Sequence, residues 1–121
     1  MTIAHTAEHR EGYTVVRVDG EPTLDEFLVM LATVGAESAQ WPNRRALFDM
    51  RSVRTLKAFT EHYAIGEAAA RHFGHLQKLA SVVPADRITR ASEKTARRAG
   101  ANLTVFTSEG EAIAWLASNA P

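Results

Sequence analysis

Cysteine is absent from the chain, which removes a disulfide framework, a thiolate nucleophile and a thiolate zinc site together. Neither sign of charge prevails: 14 Lys and Arg stand against 14 Asp and Glu, a formal net charge of zero. There is then no global field to steer the chain to nucleic acid or an anionic membrane. No long apolar run exists either. The longest mainly apolar stretch, Phe27 to Ala36, falls well short of the ~20 residues that cross a bilayer, so no membrane span is expected. Met1 to Arg10 lacks the apolar centre of a secretory signal, and a cytoplasmic protein is the expectation. Enzyme signatures are missing as well. There is no Gly-x-Ser-x-Gly elbow, no Gly-rich phosphate loop ending in Lys-Ser/Thr and no Gly-x-Gly-x-x-Gly after the early strand, so catalysis is unsupported and no cofactor is implied. What remains is a chain of 121 residues, 45% hydrophobic and 23% charged, which has the length and balance of one globular domain spanning residues 1–121.

Thr2 to His9 and Tyr13 to Asp19 read as strands joined by a turn at Glu11-Gly12, with Val16 and Val18 on one face and Arg17 and Asp19 on the other. Pro22 and the capping box Thr23-Leu24-Asp25-Glu26 open a helix with a core stripe of Leu24, Phe27, Leu28, Leu31 and Val34, broken from Gly35 onward. Ala46 to Met50, apolar on consecutive positions, predicts a central strand covered on both faces. A second helix starts between Thr55 and Thr60, with Phe59, Tyr63, Gly66, Ala70 and Phe73 as its inner face. Leu79 to Val83 is the next strand, stopped by Pro84. Asp86 is placed to cap a third helix that turns Ile88, Ala91, Thr95 and Ala99 inward and ends at Gly100. Leu103 to Phe106 is a last strand, and a capping box from Ser108 to Glu111 opens a last helix with Ile113, Trp115 and Leu116. The order β-β-α-β-α-β-α-β-α implies an antiparallel hairpin followed by parallel strands with right-handed crossovers. No repeat or linker divides it.

Asp49, Arg51 and Ser52 follow the central strand, where open α/β sheets bind ligands, and they are the first candidate site. The plainer alternative is that Asp49 accepts backbone N–H groups of the following loop while Arg51 pairs with an acid. His72 and His75 are spaced as a metal pair, but neither they nor His62 have a third ligand at motif spacing, so packed or surface histidines are the expectation. Arg87, Arg90, Lys94, Arg97 and Arg98 make the third helix basic, most simply as a solvated face. Val29 and Met30 lie beside the main stripe of the first helix and offer a second apolar contact surface, for self-association, a partner or a pocket wall.

The succession Tyr13 to Gly20, Thr23 to Glu26, Leu47 to Arg51, Leu79 to Val83, and Val105 to Ser108 through Glu111 to Leu116 resembles the SpoIIAA-like proteins of the STAS superfamily. The likeness spans roughly residues 13 to 117. It implies an α/β, single-domain, STAS-like mixed β-sheet with an N-terminal antiparallel hairpin and four flanking helices. In relatives such a domain serves protein partner binding and, in the related CRAL-TRIO group, apolar ligands. Phospho-switched antagonists carry an Asp-Ser-Ser/Thr-Gly type run at the helix after the central strand. This chain reads Arg54-Thr55-Leu56-Lys57-Ala58-Phe59 there, so that switch is not expected. Two functions follow. One is a non-catalytic regulatory module that binds a protein partner or itself, as a homodimer, through Asp49, Arg51, Ser52, Val29 and Met30. The other is a carrier of a small apolar ligand, such as a lipid, in a pocket lined by Phe27, Met30, Phe48, Tyr63 or Phe73.

Overall fold

The computed structural model describes residues 3–87 and 90–121. Gly12, at φ +87°, closes a two-residue turn between β1 (Ile3–Arg10) and β2 (Tyr13–Gly20), which pair antiparallel from Ile3↔Gly20 to Arg10↔Tyr13. Glycine takes this positive φ without the steric cost of a Cβ. The other strands, β3 (Arg45–Val53), β4 (Lys78–Val82) and β5 (Leu103–Phe106), each add in parallel, giving the order β1-β2-β3-β4-β5. Each parallel step is bridged by one helix, α1 (Leu24–Ser38), α2 (Phe59–Phe73) and α3 (Ala91–Arg98), and every crossover moves in the same direction, so spatial order equals sequence order. Helix α4 (Glu109–Ala117) follows β5.

The two faces carry separate cores. Val16, Val18, Phe48, Leu79 and Leu103 of the sheet meet Phe27, Leu31, Val34 and Phe73 on one side. On the other, Val15, Leu47, Ala80 and Val82 meet Ala112 and Leu116 of α4. Phe48 stacks edge-on against Phe73 at 5.1 Å between ring centres, tying the central strand to α2. The apolar run of β3 is thus covered on both faces, as its composition predicts.

Several local expectations are corrected. Gly35 does not break α1, which runs on to Ser38, because its missing side chain is where α2 crosses. Phe59 and Tyr63 do not face inward; both are exposed, and Gly66, Ala68, Ala69 and Phe73 form the buried face of α2. Close approach of helices selects the small residues and turns the aromatics out. A Cβ on Gly66 would lie 2.6 Å from the Ser92 carbonyl of α3. Asp86 sits in a single 3-10 turn, Ala85–Arg87, and Arg90, in the left-handed conformation at φ 58°, occupies the N-cap of α3. In α3, Ala91 and Ala96 are buried and Ala99 is exposed; Ile88 lies outside the described residues. Met30 belongs to the core rather than to a second surface, whereas Val29 is 65% exposed.

The end of α4 is held from below. Lys78 on β4 is buried, and its Nζ donates to the Trp115 carbonyl at 2.7 Å, the Ser118 carbonyl at 2.9 Å and the Ser118 hydroxyl at 3.1 Å. Arg45 of β3 donates to the Leu116 carbonyl. These cations satisfy carbonyls left open at a helix C-terminus and meet the negative end of its dipole.

Candidate functional site

Asp49 and Arg51 do not follow the central strand: β3 extends to Val53, so both lie on it, as does Ser52. The β2–β3 register pairs Arg17 with Asp49 but Asp19 with Ser52, so β3 holds one residue more than β2 over this stretch. Such a bulge takes a backbone group out of the ladder and re-aims side chains. Here the Arg51 N–H donates to Asp49 Oδ1 at 3.2 Å.

Around that bulge four charged side chains interlock. Arg51 Nε donates to Asp49 Oδ1 at 2.9 Å and its Nη2 to Asp49 Oδ2 at 3.0 Å, a bidentate pair. From β2, Arg17 Nη1 reaches Asp49 Oδ2 at 2.6 Å. The first residue of α4, Glu109, closes the ring: its Oε1 accepts from Arg17 Nη1 at 3.1 Å and from Arg51 Nη2 at 2.7 Å. Glu109 stands at a helix N-terminus whose cap is Ser108, with Ser108 Oγ accepting from the Glu111 N–H; the dipole there favours its negative charge. Hydrogen bonds from Arg51 above all hold the Asp49 carboxyl below its ordinary range, and those from Arg17 do the same for Glu109. Both arginines are held more firmly protonated in return.

Two acids and two arginines thus neutralise one another at the join of β2, β3 and α4. The Asp49 carboxylate is occupied on both oxygens and is a poor base. The arginines are about two-fifths exposed in their side chains, so the ring presents a charged rim to solvent while its carboxylates lie inside. The plainer reading of Asp49, as acceptor of a neighbouring N–H beside a paired Arg51, describes this geometry, on a strand rather than a loop. Sequence reasoning missed Arg17 and Glu109. Arg17 was legible only as a residue on the polar face of β2 and Glu109 only as the residue after a cap; the parallel register that brings them to Asp49 has no local signal.

Beside the ring, Ala4, Thr6, Arg17, Asp19, Asp49 and Ser52 border a shallow open depression of about 340 Å³ on the hairpin. On the opposite face an open groove of about 700 Å³ runs between β1 and α1, where Val29, Met30 and Thr33 face Ile3, Ala4 and His5. Val29 and Met30 are therefore together, but across β1 from the face of the charged ring. Under α2 lie two adjoining apolar cavities of about 50 and 70 Å³, which share Phe27, Met50, Ile65, Ser81 and Ser92. Of the five pocket residues expected, Phe27, Phe48 and Phe73 line the first cavity; Met30 and Tyr63 line neither.

His75 Nε2 meets Ser38 Oγ at 2.9 Å, and that hydroxyl also donates to the Gly35 carbonyl. The serine proton is thus engaged by a backbone carbonyl, which makes His75 the donor and the pair a link between α1 and the turn after α2 rather than a base with its nucleophile. Among the described residues no cluster of three or more His, Asp or Glu could hold a metal, and no helix is long and apolar enough to cross a membrane.

Known structures share this architecture. The crystal structure of an anti-sigma factor antagonist from Mycobacterium paratuberculosis superposes with a TM-score of 0.69 at 18% identity, over 97% of this chain and 96% of that one. A protein of the DUF3478 family with a SpoIIAA-like fold, from Shewanella loihica PV-4, superposes with a TM-score of 0.60 at 17% identity, over 95% and 93%. At such identities the likeness is one of fold. No curated protein matches the chain. The SpoIIAA-like family model matches residues 13–117, the whole run from β2 through α4, and the chain belongs to the SpoIIAA-like family.

Proposed function

We propose that this domain is a non-catalytic regulatory module that works by binding a protein. The observation that carries the reading is the closed ring of Arg17, Asp49, Arg51 and Glu109. It has no free base or nucleophile, yet it fixes a charged surface where two strands and a helix meet. The anti-sigma factor antagonist that shares the fold is a protein acting on other proteins by its own description, which agrees in kind. In this reading Asp49 is a positioning residue, Arg51 and Ser52 present the rim to a partner, and Val29 adds apolar contact on the α1 face, with buried Met30 beneath it.

The test is chemical cross-linking of the full chain in its own cells, read by mass spectrometry, for the wild type, Arg51→Ala and Val29→Asp. The reading requires a discrete cross-linked protein in the wild type that one or both variants lose while remaining folded by circular dichroism. Equal cross-linking in all three, or none in the wild type, overturns it.

A second reading, a carrier of a small apolar ligand, is favoured by the paired cavities under α2. Their volumes are several times below the ~300 Å³ at which ligand pockets begin, so they suit a molecule of a few heavy atoms and not a lipid unless α2 lifts. Native mass spectrometry of fresh protein decides it: a reproducible small adduct supports the carrier, and a bare chain at every preparation opposes it.

A further inference from the structure

Strand β1 is an edge of the sheet. Its eight residues, Ile-Ala-His-Thr-Ala-Glu-His-Arg, are exposed or half-buried throughout, pair with β2 without interruption, and include no proline, lysine or bulge. Those are three of the devices by which edge strands ordinarily avoid pairing with another chain; the two formal charges of β1, Glu8 and Arg10, are of opposite sign and can be matched across a two-fold. Each side of this edge is hollowed, by the depression over Ala4 and Thr6 on one face and by the groove beside Val29 on the other.

We propose that the edge is covered by a second copy of this chain, β1 lying antiparallel to β1 about a two-fold axis through Ala7, so that two five-stranded sheets become one of ten. This deepens the reading of the domain as a binding module by naming one partner; binding of a different protein at Arg51 would survive its failure.

Charge chooses the register. Directly opposed residues of an antiparallel pair share a face, and the β1–β2 register places Ala4 beside Asp19 and Thr6 beside Arg17. With the axis at Ala7, Arg10 of the second copy lies opposite Ala4 and Glu8 opposite Thr6. These small residues let Arg10 of the second copy reach over to Asp19, and Glu8 of the second copy reach over to Arg17. Symmetry doubles both, for four complementary contacts. An axis at Thr6 would instead set Glu8 of the second copy opposite Ala4, beside Asp19, and an axis at Glu8 would oppose the two glutamates. Like charges so placed disfavour both. The depression over Ala4 and Thr6 is thus the recess that the two long side chains fill. Within one chain Arg10 pairs with Glu8 at 3.3 Å and also meets Tyr13, with Arg10 half-buried and Glu8 exposed, a surface pairing weak enough to exchange. On the opposite face the two α1 helices come to either side of the axis, with exposed Val29 turned to the seam.

Because the chain has no cysteine, the seam can be read by a single introduced thiol. Opposed residues of an antiparallel pair have Cα atoms ~4.5–5.5 Å apart, within reach of a disulfide. The proposal requires that Ala7→Cys, oxidised with glutathione, give a covalent dimer, while Ala4→Cys, which faces Arg10, does not. In sedimentation equilibrium the wild type should dimerise. Arg10→Glu and Asp19→Arg should each weaken the dimer by about tenfold through like-charge contact, and the double variant Arg10→Glu/Asp19→Arg should recover most of the loss. That recovery shows that the single variants had not failed by misfolding. A monomeric wild type with no Ala7→Cys dimer overturns the proposal and leaves the edge to a strand of another protein. A dimer indifferent to Arg10→Glu and Asp19→Arg overturns it too, by moving the seam elsewhere.

Discussion

Gly35 in α1 lies close against His72 in α2: a Cβ built on Gly35 would stand 2.7 Å from the His72 Cβ and 3.1 Å from its carbonyl oxygen. Alanine normally favours a helix interior over glycine by ~1 kcal/mol. Here the new methyl would meet backbone-anchored atoms that cannot swing away. Gly35→Ala is therefore expected to destabilise the domain by about 1–2 kcal/mol net, overpacking outweighing propensity. Equilibrium urea unfolding measures it, and a stabilised variant would mean that the helices separate easily. Gly12→Ala is the contrast, since a Cβ at Gly12 would meet nothing within 4 Å; its cost is the strain of positive φ alone, about 1 kcal/mol.

The charged ring predicts an acid limb. Asp49 and Glu109 both have native values below those of the unfolded chain, Asp49 chiefly through Arg51 and Glu109 chiefly through Arg17. The unfolded state binds protons first on acidification. The ring's contribution is then fully present above the ordinary carboxylate range near ~4 and is lost as pH falls through the lowered native values. Asp49→Asn should cost about 1–2 kcal/mol at pH 7, discounted from a buried charge-assisted network because both arginines reach solvent. It should also flatten the decline of stability below about pH 4. Denaturant midpoints of wild type and variant across pH 3–7 test this; parallel curves would remove Asp49 from the acid response.

Much of the architecture is legible because local chemistry and tertiary demand agree. The Thr23–Glu26 box caps α1 by both of its hydrogen bonds, Glu11-Gly12 turns the hairpin, and Pro84 ends β4. Legibility fails where a neighbour decides. Periodicity sets Phe59 and Tyr63 inward, but α2 must approach α1 and α3 through Gly66 and Ala69, and that rotates the aromatics into solvent. Asp86 has the chemistry of a cap, yet a 3-10 turn intervenes before α3. The site divides in the same way. Asp49 and Arg51, two apart on one strand, can be picked from sequence. Arg17 and Glu109 join them across separations of 32 and 92 residues between Arg17 and its two acids, through a register that no local pattern encodes.

Val29 and Met30, adjacent in sequence, should respond oppositely to the same change. Val29 is 65% exposed and Met30 only 4%. Val29→Asp should leave stability within about 0.5 kcal/mol, whereas Met30→Asp places a carboxylate in the core and should cost about 3 kcal/mol or more. Thermal melts of both variants separate the two. A large loss for Val29→Asp in dilute, monomeric protein would mean that its side chain packs within the monomer and is not a surface for partners.

Lys78 carries the last prediction. Its ammonium is buried beneath α4, 4.9 Å from the Trp115 ring centre, with three oxygens of Trp115 and Ser118 around it. Lys78→Met keeps the length and apolar stem but leaves those acceptors with Arg45 as the cation at the helix end, and it should cost about 1–3 kcal/mol. Burial first, and the Arg45 charge second, lower the Lys78 pKa from its ordinary value of 10.5. The unfolded chain therefore holds this proton more tightly than the native one. Stability from this group should rise as pH climbs through the native value toward 10.5, the same direction as at Asp49 but in the alkaline range, since in both the unfolded chain binds the proton more tightly. Denaturant midpoints taken from pH 7 to pH 10 should show that rise in the wild type relative to Lys78→Met. An equal alkaline response in the two proteins would assign the helix end to Arg45 alone.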